Sequence, residues 1–172
     1  MDRQKGFTTL SLLVGLAIMG ALSLGAMPYL VEYNETAKAA GAKTHYYAVV
    51  DATIRYNQDT AGKWPSSLDD FTKDPGVSGW AGPYLSVNRV SNAWGGTNSL
   101  VKDTTTFKVG TAGRTTNTKG SVLYLEFTNV HDTAAKKLDV LIDGEASSTE
   151  GHVQYSSSDG VATVKILVYD IP

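Results

Sequence analysis

The chain has 172 residues, 42% of them hydrophobic and 19% charged, with a formal net charge of −2 and no cysteine. That length accommodates one membrane-length helix and one modest soluble domain. The charge balance excludes the basic patch that a nucleic-acid groove requires, and without cysteine neither a disulfide framework nor a thiolate zinc site is available.

The chain opens MDRQKG and then runs without Asp, Glu, Lys, Arg or His from Phe7 to Val31. About 20 helical residues at 1.5 Å rise suffice to cross a hydrocarbon core roughly 30 Å thick, so this segment is long enough to span a membrane. A secretory signal peptide has an apolar region of only about 7–15 residues, ending at a small-residue cleavage site. The cluster Ala21 to Ala26 offers such a site, but the run is too long for that reading. A plain amino-terminal anchor, in which Gly6 has no role, is the other alternative. Arg3 and Lys5 precede the apolar run while Glu32 and Glu35 follow it. Basic flanks stay on the cytoplasmic side, so the carboxyl-terminal domain is expected to face outward. Ala17, Ala21 and Gly25, small residues four apart, share one helix face and let backbones approach closely in lipid.

Beyond Pro28 the stretch YLVEYNETAKAAGAKTHYYAVVDATIRYNQDT stays helix-compatible. Apolar residues at Ala42, Tyr46, Val49, Val50 and Ile54 recur at i, i+3, i+4 and i+7, the pattern of an amphipathic helix. One long helix is therefore predicted from about Phe7 to about Gln58, apolar all round in its first half and one-sided in its second. Pro28 and Gly41 are its expected weak points, since Pro removes a backbone donor and Gly costs about 1 kcal/mol relative to Ala.

From Thr60 to Asp103 the composition shifts to Gly, Pro, Ser, Asn and Trp, which predicts irregular structure pinned by aromatic side chains. Within it SSLDDF reads as a short helix with Ser67 as N-cap and Asp70 three residues on, a variant of the capping box. Trp64, Trp80 and Trp94 are read as covers over a core beneath a long loop rather than as a ligand cage. The last third alternates: TTTFKVGT, SVLYLEFTNV, GHVQYSSS and VATVKILVYDI read as four strands, with GRTTNTKG and SSSDG as separators. HDTAAKKLDVLIDG reads as a second short helix with Asp132 as N-cap and Leu138, Leu141 and Ile142 turned inward. The predicted fold class is α+β: a long amino-terminal helix packed by its amphipathic half on an antiparallel sheet of about four strands.

The glycine immediately before an apolar run that opens Phe7, Thr8, Thr9, Leu10 resembles the leader of type IV pilins and type II secretion pseudopilins. The resemblance implies a prepilin leader at 1–6, a membrane and filament-core helix at 7–31, and a globular domain at 32–172. It implies cleavage between Gly6 and Phe7 by a prepilin peptidase and methylation of Phe7. Pro28 and Gly20 fall where family members commonly carry Pro and Gly. One position departs: Ser11 stands where most members have a Glu that neutralises a neighbour's amino terminus, which points to a minor or divergent subunit. GKWPSSLDDF, GWAGPYL and NAWGG resemble the segment after the long helix in the major pseudopilins of type II secretion. The implied partners are copies of the chain and other pilin-like subunits, the peptidase, an assembly platform protein and an ATPase, and the implied course is a single-pass precursor in the inner membrane with its carboxyl-terminal domain outside, then an extracellular or periplasmic filament. A membrane-tethered or tip-displayed adhesin, contacting ligands through GRTTNTKG and the Trp residues, is the alternative from another class.

No enzyme motif is present, neither HExxH, GxSxG nor GxxxxGK[ST], and no cofactor is expected. His45, His131 and His152 lack metal-ligand spacing and are read as ordinary polar or capping residues. Asp139, Asp143, Glu145 and Asp159 are expected in loops. Pseudopilins often hold calcium in such a loop, but calcium wants six to eight oxygens and no dense Asp-rich loop is present, so these four are read as solvated turn residues. Asn34 in Asn-Glu-Thr matches a glycosylation pattern too short to carry a role.

Overall fold

The computed structural model describes residues 8–111 and 114–171. Gly6 and Phe7 lie outside the described residues. The chain divides into two compact units at Asn34/Glu35.

Helix α1 is Thr9–Asp59. In the first unit its residues are exposed throughout, except for partly covered Gly15. In the second unit one stripe is buried: Ala39, Ala42, Tyr46, Val49, Ala52 and Tyr56. Spacings of three and four keep these on one face, as the sequence pattern requires. Ile54, expected on that stripe, is instead exposed, and Thr53 takes the inward place with its hydroxyl donating to the Val49 carbonyl at 2.8 Å. Gly41 does not interrupt the helix.

The main sheet is antiparallel, in the order β1–β4–β6–β5, with β1 at Asn98–Asp103, β4 at Ser121–His131, β5 at Val153–Ser158 and β6 at Val161–Ile171. Strands β2 (Lys108–Thr111) and β3 (Arg114–Asn117) form a separate hairpin. Three expectations are corrected here. TTTFKVGT contributes β2 to the hairpin, not a strand to the main sheet, and its partner β3 comes from GRTTNTKG, expected to be a separator. Threonine's β-branched side chain favours a strand as readily as a loop, and only pairing decides between them. The fourth strand of the main sheet is β1, inside the stretch expected to be irregular.

Four consecutive residues of β4, Val122 to Leu125, are buried because both sheet faces are covered. Leu123, Leu125 and Phe127 join Val164 and Ile166 in the core shared with α1. Val122 and Tyr124 face Phe107 and Leu167 in a smaller cluster, with Val109 packed against it. Strand alternation thus sorts neighbours into two cores, and the β2–β3 region is a lid on the second.

Between β5 and β6 the chain turns at Asp159 and Gly160, with φ of 53° and 81°, the left-handed pair of a tight hairpin turn. Helix α2, Asp132–Asp143, follows β4 directly. Its N-cap is His131, without a side-chain capping bond, so Asp132 sits inside the first turn rather than at the cap. It buries Ala134, Ala135, Leu138 and Asp139, with Leu141 and Ile142 packed at the edge of the core. SSLDDF gives a 3-10 turn at Leu68–Phe71. There the Asp70 carboxylate accepts from the Ser66 amide at 2.6 Å and from the Ser66 and Ser67 hydroxyls at 2.9 Å, while Ser67 makes no capping bond to the backbone.

Leu138 is fully buried in the main core. Leu138→Ala is expected to lower unfolding free energy by about 2–5 kcal/mol with an unchanged m-value. Urea denaturation of the detergent-solubilised protein measures this, and a loss under about 1 kcal/mol would contradict the packing described.

Candidate functional site

The unit 8–34 presents a continuous apolar surface. An 18-residue window of α1 reaches a mean hydropathy of 2.1 with none of it buried, and by length and composition the helix can cross a membrane. Leu10, Leu24 and Tyr29 are more than 70% exposed. Ala17, Gly20, Ala21, Gly25 and Pro28 all lie on this exposed stretch, and a Cβ at Gly20 or Gly25 would meet no atom within 4 Å. Pro28 is accommodated inside α1. Ser11 bonds locally. Its amide donates to Thr8 Oγ1 at 3.3 Å, and its hydroxyl lies 2.8 Å from the same oxygen. Thr8 therefore acts as the helix N-cap and Ser11 as its third residue, satisfying a donor that a helix start leaves open.

In the second unit the first buried side chain of α1 is a carboxylate. Glu35 Oε2 accepts from the Trp94 indole at 2.7 Å, and Oε1 lies 3.0 Å from Lys38 Nζ and 3.2 Å from His131 Nδ1. Burial pushes this carboxyl up, but the Trp94 and Lys38 hydrogen bonds and the charges around it outweigh burial and hold it below its usual value. The cluster ties α1 to the loop before β1 and to the end of β4. In the sequence Glu35 stands out only as one of the charges flanking the apolar run. The signal that could have found it is the stripe itself, because counting back from Tyr46 by four, three and four residues passes Ala42 and Ala39 and reaches Glu35.

The loop is held by a bulge in β4. Register shifts between Phe127 and Val130, where Asn129 has φ 58°. That frees Asn129 Nδ2 to donate to the Trp94 carbonyl at 2.8 Å, and the Thr128 carbonyl to accept from Asn92 Nδ2 at 2.7 Å. Gly96 passes so close to this bulge that a Cβ would lie 2.0 Å from the Thr128 oxygen, so only glycine fits the NAWGG turn there. The three Trp residues are dispersed. Trp64 packs at a tilt against Tyr169 with ring centroids 4.5 Å apart, Trp80 donates to the Asp70 carbonyl at 2.9 Å, and Trp94 holds Glu35, so they do not converge on one cage.

Asp139 and Asp143 lie on α2, not in a loop, and are not solvated turn residues; Glu145 and Asp159 are exposed. Asp139 is fully buried, and its Oδ2 accepts from the Ser147 amide at 2.6 Å while Oδ1 has no hydrogen-bond partner. Burial, with the neighbouring Asp143 charge, pushes its carboxyl up to about 7 despite the Ser147 bond. Asp143 differs: burial raises it, but His152 at 2.9 Å and the Val153 amide at 2.8 Å bring it below its usual value. His152 is raised by its hydrogen bond to Asp143, against burial. Among the described residues no three His, Asp or Glu side chains are grouped to hold a metal ion.

Comparison with known proteins decides the relationship. The model of the family described as PilW, C-terminal matches residues 34–130, more than half of the chain. The chain belongs to this family, and so to the pilins and pseudopilins. It is 30% identical over 95 residues to the type II secretion system core protein G of Xanthomonas campestris pv. campestris, a match covering 55% of this chain and 66% of that protein. The chain thus spans just under two thirds of that relative's length. No solved structure gives a significant match. The matched region contains Glu35, Lys38, Trp94 and the bulge at Asn129, while His131 lies one residue beyond it.

Asp139 yields a pH-dependent stability of unusual sign. Its folded pKa is above the unfolded value, so its destabilisation is absent below about pH 4 and grows until about pH 7. Asp139→Asn is expected to stabilise the protein at pH 8 by roughly 2–4 kcal/mol, and by little or nothing at pH 4. Thermal melts of both proteins across that range check it, and an equal effect at both pH values would refute the assignment.

Proposed function

We propose that the protein is a structural subunit of a type IV pilus-like filament. It is made as a prepilin in the inner membrane with the globular unit outside, is cleaved after Gly6, is methylated at Phe7, and is assembled by packing of its apolar half-helices. The observation that carries this reading is the combination of a charge-free, exposed helical stretch with a globular unit of the PilW family. Lipid is as apolar as leucine, so leaving the bilayer for a filament gains little from hydrophobicity, and close packing must drive assembly. Ala17, Gly20, Ala21 and Gly25 suit that need by leaving room at the backbone. Pro28 belongs to the same assembly segment. Copies of the chain, other pilin-like subunits, the prepilin peptidase, a platform protein and an ATPase are the partners in this reading, and the role is structural rather than enzymatic.

A second reading, a pseudopilin of a type II secretion system, is favoured by the identity to core protein G. Both share the same maturation. Intact mass of the membrane-extracted protein, expressed with a prepilin peptidase, is expected to match a chain beginning at N-methylated Phe7. A retained Met1 or a start near Met27 would overturn the prepilin reading.

Ser11 bears on copy number. A positive amino terminus without a carboxylate partner in a hydrocarbon environment costs roughly a few kcal/mol, which the Thr8 and Ser11 hydroxyls offset only in part. The subunit is therefore expected at low copy number, at a tip or divergent position. Ser11→Glu is expected to raise its share of purified filaments, read by quantitative mass spectrometry. Dominance of the unsubstituted chain in filaments would contradict the minor-subunit reading.

A further inference from the structure

Residues 144–152 join α2 to β5 as a strap, and two carboxyl groups of α2 hold that strap in place. Asp139 Oδ2 accepts from the Ser147 amide at 2.6 Å. One turn further on, Asp143 accepts from the Val153 amide at 2.8 Å and lies 2.9 Å from His152 Nδ1. The strap passes so close to α2 that a Cβ on Gly151 would fall 2.4 Å from Asp143 Oδ2. The Gly151 amide in turn donates to the Lys108 carbonyl at 2.7 Å, which fastens the base of β2 to the strap. Val109, the next residue of β2, packs against the cluster of Phe107, Val122, Tyr124 and Leu167.

The weak point of this arrangement is Asp139 Oδ1, a fully buried carboxylate oxygen without a donor. Its hydrogen-bonding neighbour is the Asp143 carboxyl, and two ionised carboxylates have no proton to share. A proton on Asp139 turns two repelling charges into a donor and an acceptor. The titratable groups that face the pair from neighbouring elements are engaged elsewhere. His152 is bonded to Asp143, and Tyr155 of β5 is raised by burial and then by the Asp139 and Asp132 charges, so it adds no positive charge. From α1, Tyr46 donates to the Leu167 carbonyl and Lys43 to the Leu141 carbonyl. Strands β4 and β6 bring apolar residues, Val130, Val164 and Ile166, to the same core. Burial, with the Asp143 charge, pushes the Asp139 carboxyl up to about 7.

We propose that the strap is a proton-operated latch: protonated Asp139 donates to Asp143 and keeps residues 144–152 and the base of β2 closed, and loss of that proton lets the strap open. The proton passes to solvent as Asp139 turns toward water, and it returns from solvent on closing. Opening releases Gly151 from Lys108 and loosens β2 over its apolar cluster. The sign follows from a carboxyl raised in the closed state. The latch is at full strength below about pH 4, weakens as pH rises toward 7, and levels off above that. Every group in it belongs to the globular unit, so the latch does not depend on the filament assembly proposed for the chain.

The test is amide hydrogen exchange of the full chain in zwitterionic detergent, resolved at single amides by NMR between about pH 4.5 and 6 and corrected for the intrinsic pH dependence of exchange. In that window Asp143, held below its usual value, stays ionised, and His152, held above its own, stays protonated. Protection of the Ser147, Gly151 and Val153 amides is expected to fall about tenfold per pH unit while staying below that of the core amides of β4. The Thr118 amide, which donates to the Phe107 carbonyl at the base of the hairpin, should follow the strap. In Asp139→Asn the side-chain amide donates to Asp143 without titrating, so protection should be high and flat with pH. Flat protection in the unsubstituted chain, or an equal slope in Asp139→Asn, would overturn the latch. Strap amides protected as strongly as those of β4 would also overturn it, because exchange would then report global unfolding alone. A response at Ser147 that Gly151 and Thr118 do not share would refute the link to β2.

Discussion

Burial of the stripe Ala39, Ala42, Tyr46, Val49, Ala52 and Tyr56 on α1 is the constraint to which the rest of the globular unit is fitted. The stripe mixes small and large residues, so the alanines let the sheet come close while the tyrosines fill the space between. Each fully buried large side chain contributes about 1.5–3 kcal/mol, and the tyrosines need a partner for their polar ends. Tyr46 finds one by donating to the Leu167 carbonyl at 2.9 Å, which locks α1 to β6. Leu123, Leu125, Phe127, Val164 and Ile166 supply the facing surface. Lys43 Nζ donates to the Leu141 carbonyl at 2.7 Å and so ties α2 to the same helix.

Two buried carboxylates show how differently one fold handles the same chemical problem. Glu35 stays ionised because Trp94, Lys38 and His131 surround it with donors and positive charge. Asp139 has a single amide donor and a negative neighbour in Asp143, so burial dominates and its acid form is favoured. The first arrangement joins three chain segments across the molecule. The second concentrates charge regulation at the α2–β5 connection, where Asp143 is held by His152 and the Val153 amide.

The surface of α1 in the first unit answers to other rules. No charge is present between Phe7 and Val31, and the side chains there are exposed rather than packed. A surface of that kind in water is an interaction site or a membrane segment by necessity, since monomeric soluble proteins rarely expose so much contiguous apolar area. Backbone polar groups inside α1 are satisfied by the helix, which makes the segment compatible with lipid and with a packed helical core alike. The Thr8 and Ser11 hydroxyls close its start.

Periodicity and the charge-free run determined much of this protein without reference to a structure. The long helix, its division into an all-round apolar half and a one-sided half, the second helix, and the strands at 121–131, 153–158 and 161–171 follow from spacings that the chain carries locally. The pilin-like resemblance rested on residues equally local, Gly6, Phe7, Gly20 and Pro28. What tertiary structure alone decided are the choices for which local preference is nearly neutral. Asn98–Asp103 became a strand because β4 offers an edge there, and KVGT with RTTN became a hairpin beside Phe107 because the outer sheet face had apolar residues to cover. The roles of Glu35 and Asp139 were hidden for a related reason. A polar residue's spacing tells which face it occupies, but its charge state and partners depend on burial and on groups far away in sequence, such as Trp94 for Glu35 at 59 residues' separation.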